Sequence, residues 1–116
     1  FRFESLVPSG FSKSGMWIAV GAPHHDEGGT SNKGAVYVFR FDNATAQWSY
    51  HSKITSSIAT ANDRFGWSVS IDDSASNAVR VLVGCNYHMD YSGFVELFEM
   101  PSTFASCACC PSPHLF

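Results

Sequence analysis

Asp63-Arg64-Phe65-Gly66-Trp67-Ser68-Val69-Ser70-Ile71, Arg80-Val81-Leu82-Val83-Gly84-Cys85-Asn86 and Gly93-Phe94-Val95-Glu96-Leu97-Phe98 are three short apolar runs, each opened or closed by glycine. Polar, turn-forming stretches separate them. Runs of this length and composition read as β-strands. A weaker copy lies upstream: Arg2-Phe3-Glu4-Ser5-Leu6, Ile18-Ala19-Val20-Gly21-Ala22-Pro23 and Gly34-Ala35-Val36-Tyr37-Val38-Phe39. Ser5 and Ser68, Gly21 and Gly84, and Ala22 and Cys85 are each 63 residues apart. Gly34 and Gly93 are 59 apart, because the second polar loop is four residues shorter.

A tandem unit of about 60 residues built from short strands marks a propeller or a related repeat array. The predicted fold is all-β: a β-propeller fragment of about two four-stranded antiparallel blades, the second lacking a clear outer strand. Residues 1–62 supply strands A to D of the first unit. Residues 63–100 supply A to C of the second, and residues 101–116 form an irregular Cys- and Pro-containing tail. Two units cannot close a ring, so the chain is expected to be a piece of a longer protein and to expose sheet faces that neighbours normally cover.

Composition agrees. The chain has 116 residues, 45% apolar and 15% charged, with ten Phe, four Tyr and three Trp. That is a folded chain, rich in residues that suit a pleated surface. The net charge of −3 and the lack of a basic stripe argue against nucleic acid. No apolar run approaches the roughly 20 residues of a membrane helix. The sequence shows no signal peptide, so its start neither indicates nor excludes secretion.

Along the first unit, residues 2–7 read as strand A, broken at Pro8-Ser9-Gly10. Residues 16–20 read as a strand buried on both faces. Residues 22–33 form a long polar loop. Residues 34–41 form a strand with Tyr37, Phe39 and Phe41 on one face and Val36 and Val38 on the other. Trp48, Tyr50, Ser52 and Ile54 then alternate with Ser49, His51 and Lys53, as in a half-exposed edge strand. Asn43-Ala44-Thr45, in the turn before it, is a sequon for N-glycosylation at Asn43.

Arg64-Phe65-Gly66-Trp67-Ser68-Val69, Val20-Gly21-Ala22-Pro23 and Gly34-Ala35-Val36-Tyr37-Val38-Phe39 together resemble the FG-GAP repeat, which builds the propeller of integrin alpha subunits and related extracellular proteins. The resemblance covers residues 2–100. The first unit departs from it with Phe3-Glu4 in place of Phe-Gly, and the second with Gly84-Cys85-Asn86 in place of Gly-Ala-Pro. The bulk of Phe65 and the small size of Gly66, Gly21, Ala22, Pro23, Gly84, Gly34 and Gly93 suit inter-blade packing and close backbone approach.

The resemblance implies ligand recognition on the face formed by the B–C loops and the D–A connector, residues 55–64. There the sequence places His24, His25 and Asp26 in one loop and Tyr87, His88, Asp90 and Tyr91 in the other. Tyrosine favours protein contacts, and His with Asp can also hold a transition metal. A plain polar loop is the bland alternative. Calcium needs several converging oxygens. Asp73 and Asn77 keep a suitable spacing, but Ala75 interrupts the loop and its glycine is absent, so a solvated hairpin is the better reading. Cys85 reads as a small buried hydrophobe. Cys107, Cys109, Cys110 and His114 lack the paired spacing of a zinc site. No catalytic motif is present.

The sequence therefore predicts a non-enzymatic, adhesion-type module without a cofactor. It is expected outside the cell or on the outer face of a membrane protein, binding a protein or glycan alongside further blades of its parent. A propeller segment of a secreted hydrolase or lyase, with its catalytic residues elsewhere, or a purely structural blade pair, are the alternatives.

Overall fold

The computed structural model describes residues 9–75, 77–89 and 92–102. The strand read over residues 2–7 and the tail from 103 onward lie outside the described residues. Among the described residues seven strands form two antiparallel meanders. The first sheet orders β1 (Ser9–Phe11), β2 (Trp17–Ala22), β3 (Ala35–Asp42) and β4 (Gln47–Ile54); the second orders β5 (Ser68–Asp72), β6 (Ala78–Cys85) and β7 (Phe94–Pro101). The all-β, two-sheet architecture is the one the repeat predicts.

Two local expectations are overturned. Ser9-Gly10 does not break a strand: Ser9 pairs with Val20, Gly10 with Ala19 and Phe11 with Ile18. A three-residue edge strand gains its order from the partner's backbone, so the turn-like composition of Ser-Gly does not prevent it. The regular alternation over residues 48–54 also fails. The register slips between Val38 and Phe39, which face Ser52 and Tyr50, so His51 is an extra residue on β4. That bulge reverses the faces on either side of it. Ser52 and Ile54 share a face with Val38 and Val36, whereas Tyr50 and Trp48 stand opposite Phe39 and Phe41 on the other. His51 itself turns its ring onto Trp17, with centroids 4.9 Å apart.

The alternating pattern decides how the sheets meet. On the first sheet, Trp17, Ala19, Val36, Val38 and Ile54 point toward the second. On the second, Ile71, Val79, Val81, Val83, Phe98 and Met100 point back. These side chains form one core, in which each fully buried valine contributes about 1.5–3 kcal/mol. The contact is head to tail. Repeat spacing matches Val81 and Val83 of β6 with Ile18 and Val20 of β2, which lie on the first sheet's far face. Each sheet therefore presents one kind of face forward and another backward, as successive blades do.

Phe65 sits at the centre of this contact, fully buried, with its ring 5.8 Å from that of Phe98. Both outward faces keep large exposed apolar side chains, although Val20, Ala22, Ala35 and Tyr37 on that of the first sheet are buried. Phe11, Trp48 and Tyr50 are exposed on the first sheet, and Leu82, Val95 and Leu97 on the second.

Candidate functional site

The end of the molecule where β2 and β6 finish collects the B–C loops and the connector between the sheets. Its backbone is zipped together. Asn62 N donates to Ser31 O at 2.8 Å, Arg64 N to Asn32 O at 3.0 Å, and Phe65 N to Lys33 O at 2.9 Å. The connector thus runs beside the first B–C loop like a short strand, and Gly34 and Phe65 form a parallel bridge. Gly34 has φ +90°, and a Cβ there would lie 2.6 Å from Phe65 N and 2.8 Å from Phe65 C. Gly66, at φ +95°, leaves room for Ala35 O, which a Cβ would approach to 2.7 Å. Phe65 and Gly66 thus lie directly on Gly34, Ala35 and Ala22.

Within the first B–C loop, Asp26 Oδ1 accepts from Asn32 N at 2.8 Å. That bond shapes the loop while leaving Asp26 exposed. His25 faces inward: its Nε2 lies 3.2 Å from Glu27 Oε2, and Lys53 of β4 binds the same oxygen. The Lys53 bond holds the Glu27 carboxyl below its usual range and raises the Lys53 ammonium above its own. Lys53 also lies over the ring of Tyr37, and His25 packs edge-on against that ring. Pro23 is buried. His24 is exposed and meets Trp67 edge-on at 6.5 Å.

The second B–C loop is tied to the connector through Asp63, which is 3% exposed. Asp63 Oδ2 accepts from His88 Nδ1 at 2.6 Å, from Thr60 N at 2.7 Å and from Thr60 Oγ1 at 3.0 Å. Burial pushes the Asp63 carboxyl upward, but these bonds outweigh it and its pKa falls below the ordinary value. Cys85 donates its thiol to Asp63 O at 2.7 Å, and burial raises the pKa of that thiol. Arg64, at φ +63°, lays its guanidinium over Tyr87 at 4.6 Å and over Trp67 at 5.8 Å. Gly84 O accepts from both Gly66 N and Trp67 N, and Gly93 closes its loop by donating to His88 O.

The structure therefore brings His24 and Tyr87 to one surface through Trp67 and Arg64. It commits His25 and His88 to internal bonds. Asp90 and Tyr91 lie outside the described residues. Asp63, Arg64, Trp67, Glu27 and Lys53 were not among the candidate ligand-binding residues read from sequence. Asp63 and His88 are 25 positions apart, and only the placement of the connector on this face hints at their meeting. At the opposite end, Asp73 accepts from Ser14 of the other sheet, through both its hydroxyl and its amide. Asp72 accepts from Ser74 instead. Asn77 O accepts from Ser102 N at 3.2 Å. Among the described residues no three His, Cys, Asp or Glu side chains converge on a metal position. Asn43 sits in the exposed β3–β4 turn.

Residues 48–94 match the FG-GAP repeat family. Over those residues the chain is similar to an FG-GAP repeat. The match runs from the outer strand of the first sheet through the connector and Phe65-Gly66 to the start of β7, so it spans the contact between the sheets. Comparison with curated proteins and with solved structures gave no match. FG-GAP repeats build propeller-type modules, and the two head-to-tail sheets fit that role. No helix of the described residues is long and apolar enough to cross a membrane.

Proposed function

We propose that this FG-GAP module is a non-enzymatic binding unit of the adhesion type, working outside the cell and taking a protein or glycan ligand on its B–C loop face. The observation that carries this reading is the locking of three separate segments into one surface. Asn32 bonds Asn62, Asp63 bonds His88, and Arg64 is held over both Trp67 and Tyr87. Such preorganisation lowers the ordering cost of binding. Exposed Trp and well-placed Tyr and Arg are the side chains that dominate protein interfaces. The sequon at Asn43 lies in an exposed turn away from this surface, which favours a secreted setting.

The test is binding of the chain to intact cells and to immobilised matrix proteins or glycans, alongside His24→Ala and Trp67→Ala. A loss of about tenfold, or 1.4 kcal/mol, with an unchanged circular dichroism spectrum supports the reading. Equal binding by both variants rejects it.

A further inference from the structure

Two of the charged groups at the loop end are spent inside the protein: Lys53 on Glu27 and Asp63 on His88. Arg64 differs. Its half-buried guanidinium is gripped by ring faces, Tyr87 at 4.6 Å and Trp67 at 5.8 Å. Among the described residues no carboxylate pairs with it. Its Nε is buried and has no hydrogen-bond partner there. Stacking on aromatic rings engages the flat faces of a guanidinium. The five N–H donors lie in its plane, at the edge, and stacking leaves them unused. Buried donors in folded proteins are nearly always paired, so this charge is incompletely satisfied by its own chain.

The backbone that carries Arg64 is pinned on both sides. Arg64 N donates to Asn32 O at 3.0 Å, and Arg64 O accepts from Trp67 N at 3.1 Å. Those bonds hold the residue at a left-handed φ of +63°. The turn they close brings Trp67 back beside the arginine, and Trp67 is 44% exposed. The cation is therefore placed before any ligand arrives, which lowers the cost of ordering it on binding.

We propose that Arg64 is the receptor for a carboxylate, supplied by an aspartate or glutamate side chain of a protein ligand. This rests on the loop-face reading above and names the group that the face takes. A guanidinium edge offers two N–H donors at the spacing of the two carboxylate oxygens, so one planar acid accepts both bonds at once. The flanking rings keep water from the faces of the cation, and a charge-assisted bond strengthens where water is excluded. One guanidinium balances one negative charge, which suits a carboxylate better than the near-dianion of a phosphate ester. Arginine beside exposed tryptophan and tyrosine is the combination that dominates protein contacts, which favours a protein as the source of the acid.

The probe is the capped tripeptide Ac-Ala-Asp-Ala-NH2, titrated into the full chain while the Arg64 Nε–H and Trp67 indole N–H signals are followed by NMR. The control peptide replaces Asp by Asn, which keeps the shape and removes the charge. The expected result is saturable shifts of both signals with the Asp peptide, at least about fivefold weaker binding of the Asn peptide, and weaker binding of the Asp peptide to an Arg64→Lys chain, which keeps the charge and loses the fork. Raising salt from about 20 mM to about 500 mM should weaken the Asp peptide several-fold. Equal binding of the two peptides, or no shift at about 20 mM peptide, overturns the proposal. So does tighter binding of glucuronate than of the Asp peptide, which would assign the site to acidic sugars. In the cell and matrix assay above, loss of binding by Arg64→Gln with an unchanged melting temperature supports the proposal. Full binding by Arg64→Gln alongside loss by Trp67→Ala overturns it and leaves the loop-face reading standing.

Discussion

Replacing Gly34 by Ala tests how the sheets are joined. The φ of +90° costs an L-residue about 1–2 kcal/mol. The added Cβ would lie 2.6 Å from Phe65 N, against backbone with no freedom to swing aside. The connector must therefore lift. Two backbone bonds stretch, Arg64 N to Asn32 O and Phe65 N to Lys33 O, each contributing about 1 kcal/mol. Part of the Phe65 packing goes with them, about 1 kcal/mol more. The sum is about 4 kcal/mol, a large share of the 5–15 kcal/mol typical of a domain. Gly29→Ala is the control. Its φ is +82°, and a Cβ there meets nothing within 4 Å, so only the backbone strain applies. Urea unfolding followed by tryptophan fluorescence should show the Gly34→Ala midpoint about 2 M lower at a slope of about 2 kcal/mol/M, against about 0.5–1 M for Gly29→Ala. Equal midpoints for the two variants would refute the claim that the connector rests on Gly34.

Phe65→Ala removes the fully buried ring at the sheet contact and should cost about 3–5 kcal/mol by the same unfolding measurement. The half-buried ring of His51 has its pKa lowered by burial first and by Arg40 second. The unfolded chain therefore binds this proton more readily, and the contribution of His51 to stability is lost as pH falls below about 6.5 and through the folded-state value. His51→Gln should flatten the fall in melting temperature between about pH 7 and 5. Asp73→Ala breaks the bonds to Ser14 and should cost about 1 kcal/mol. With Asp73 held by Ser14, about 1 mM calcium should leave the parent's melting temperature unchanged, as scanning calorimetry can check.

The repeat was legible because its glycines do a steric job at fixed spacing. Gly34 and Gly66 are seats where one backbone lies on another, so each position requires glycine whatever surrounds it. Phe65 was legible for the complementary reason: a large apolar residue beside a glycine marks a buried joint. The bulge at His51 was not legible, because alternation counts residues two by two and an extra one leaves no mark in composition. Nor was β1, since Ser-Gly-Phe forms a strand only by borrowing its partner's hydrogen bonds. At the loop face, residue types pointed to recognition. Which of them are spent inside the protein depended on contacts across long separations, such as His88 with Asp63 and His25 with Glu27. His24 and Tyr87 remain on the surface, joined there by Trp67 and Arg64, whose positions follow from the Phe-Gly turn rather than from any local pattern.

The central claim is that this chain holds two successive sheets stacked head to tail, with Phe65-Gly66 of the second seated on Gly34 of the first. Nuclear Overhauser contacts in the folded chain test it most directly. Strong cross-peaks are expected from Gly34 Hα to the Phe65 amide, and from the Phe65 ring to Phe98. Absence of the Gly34 contact, with a Phe65 ring that sees solvent, would contradict it.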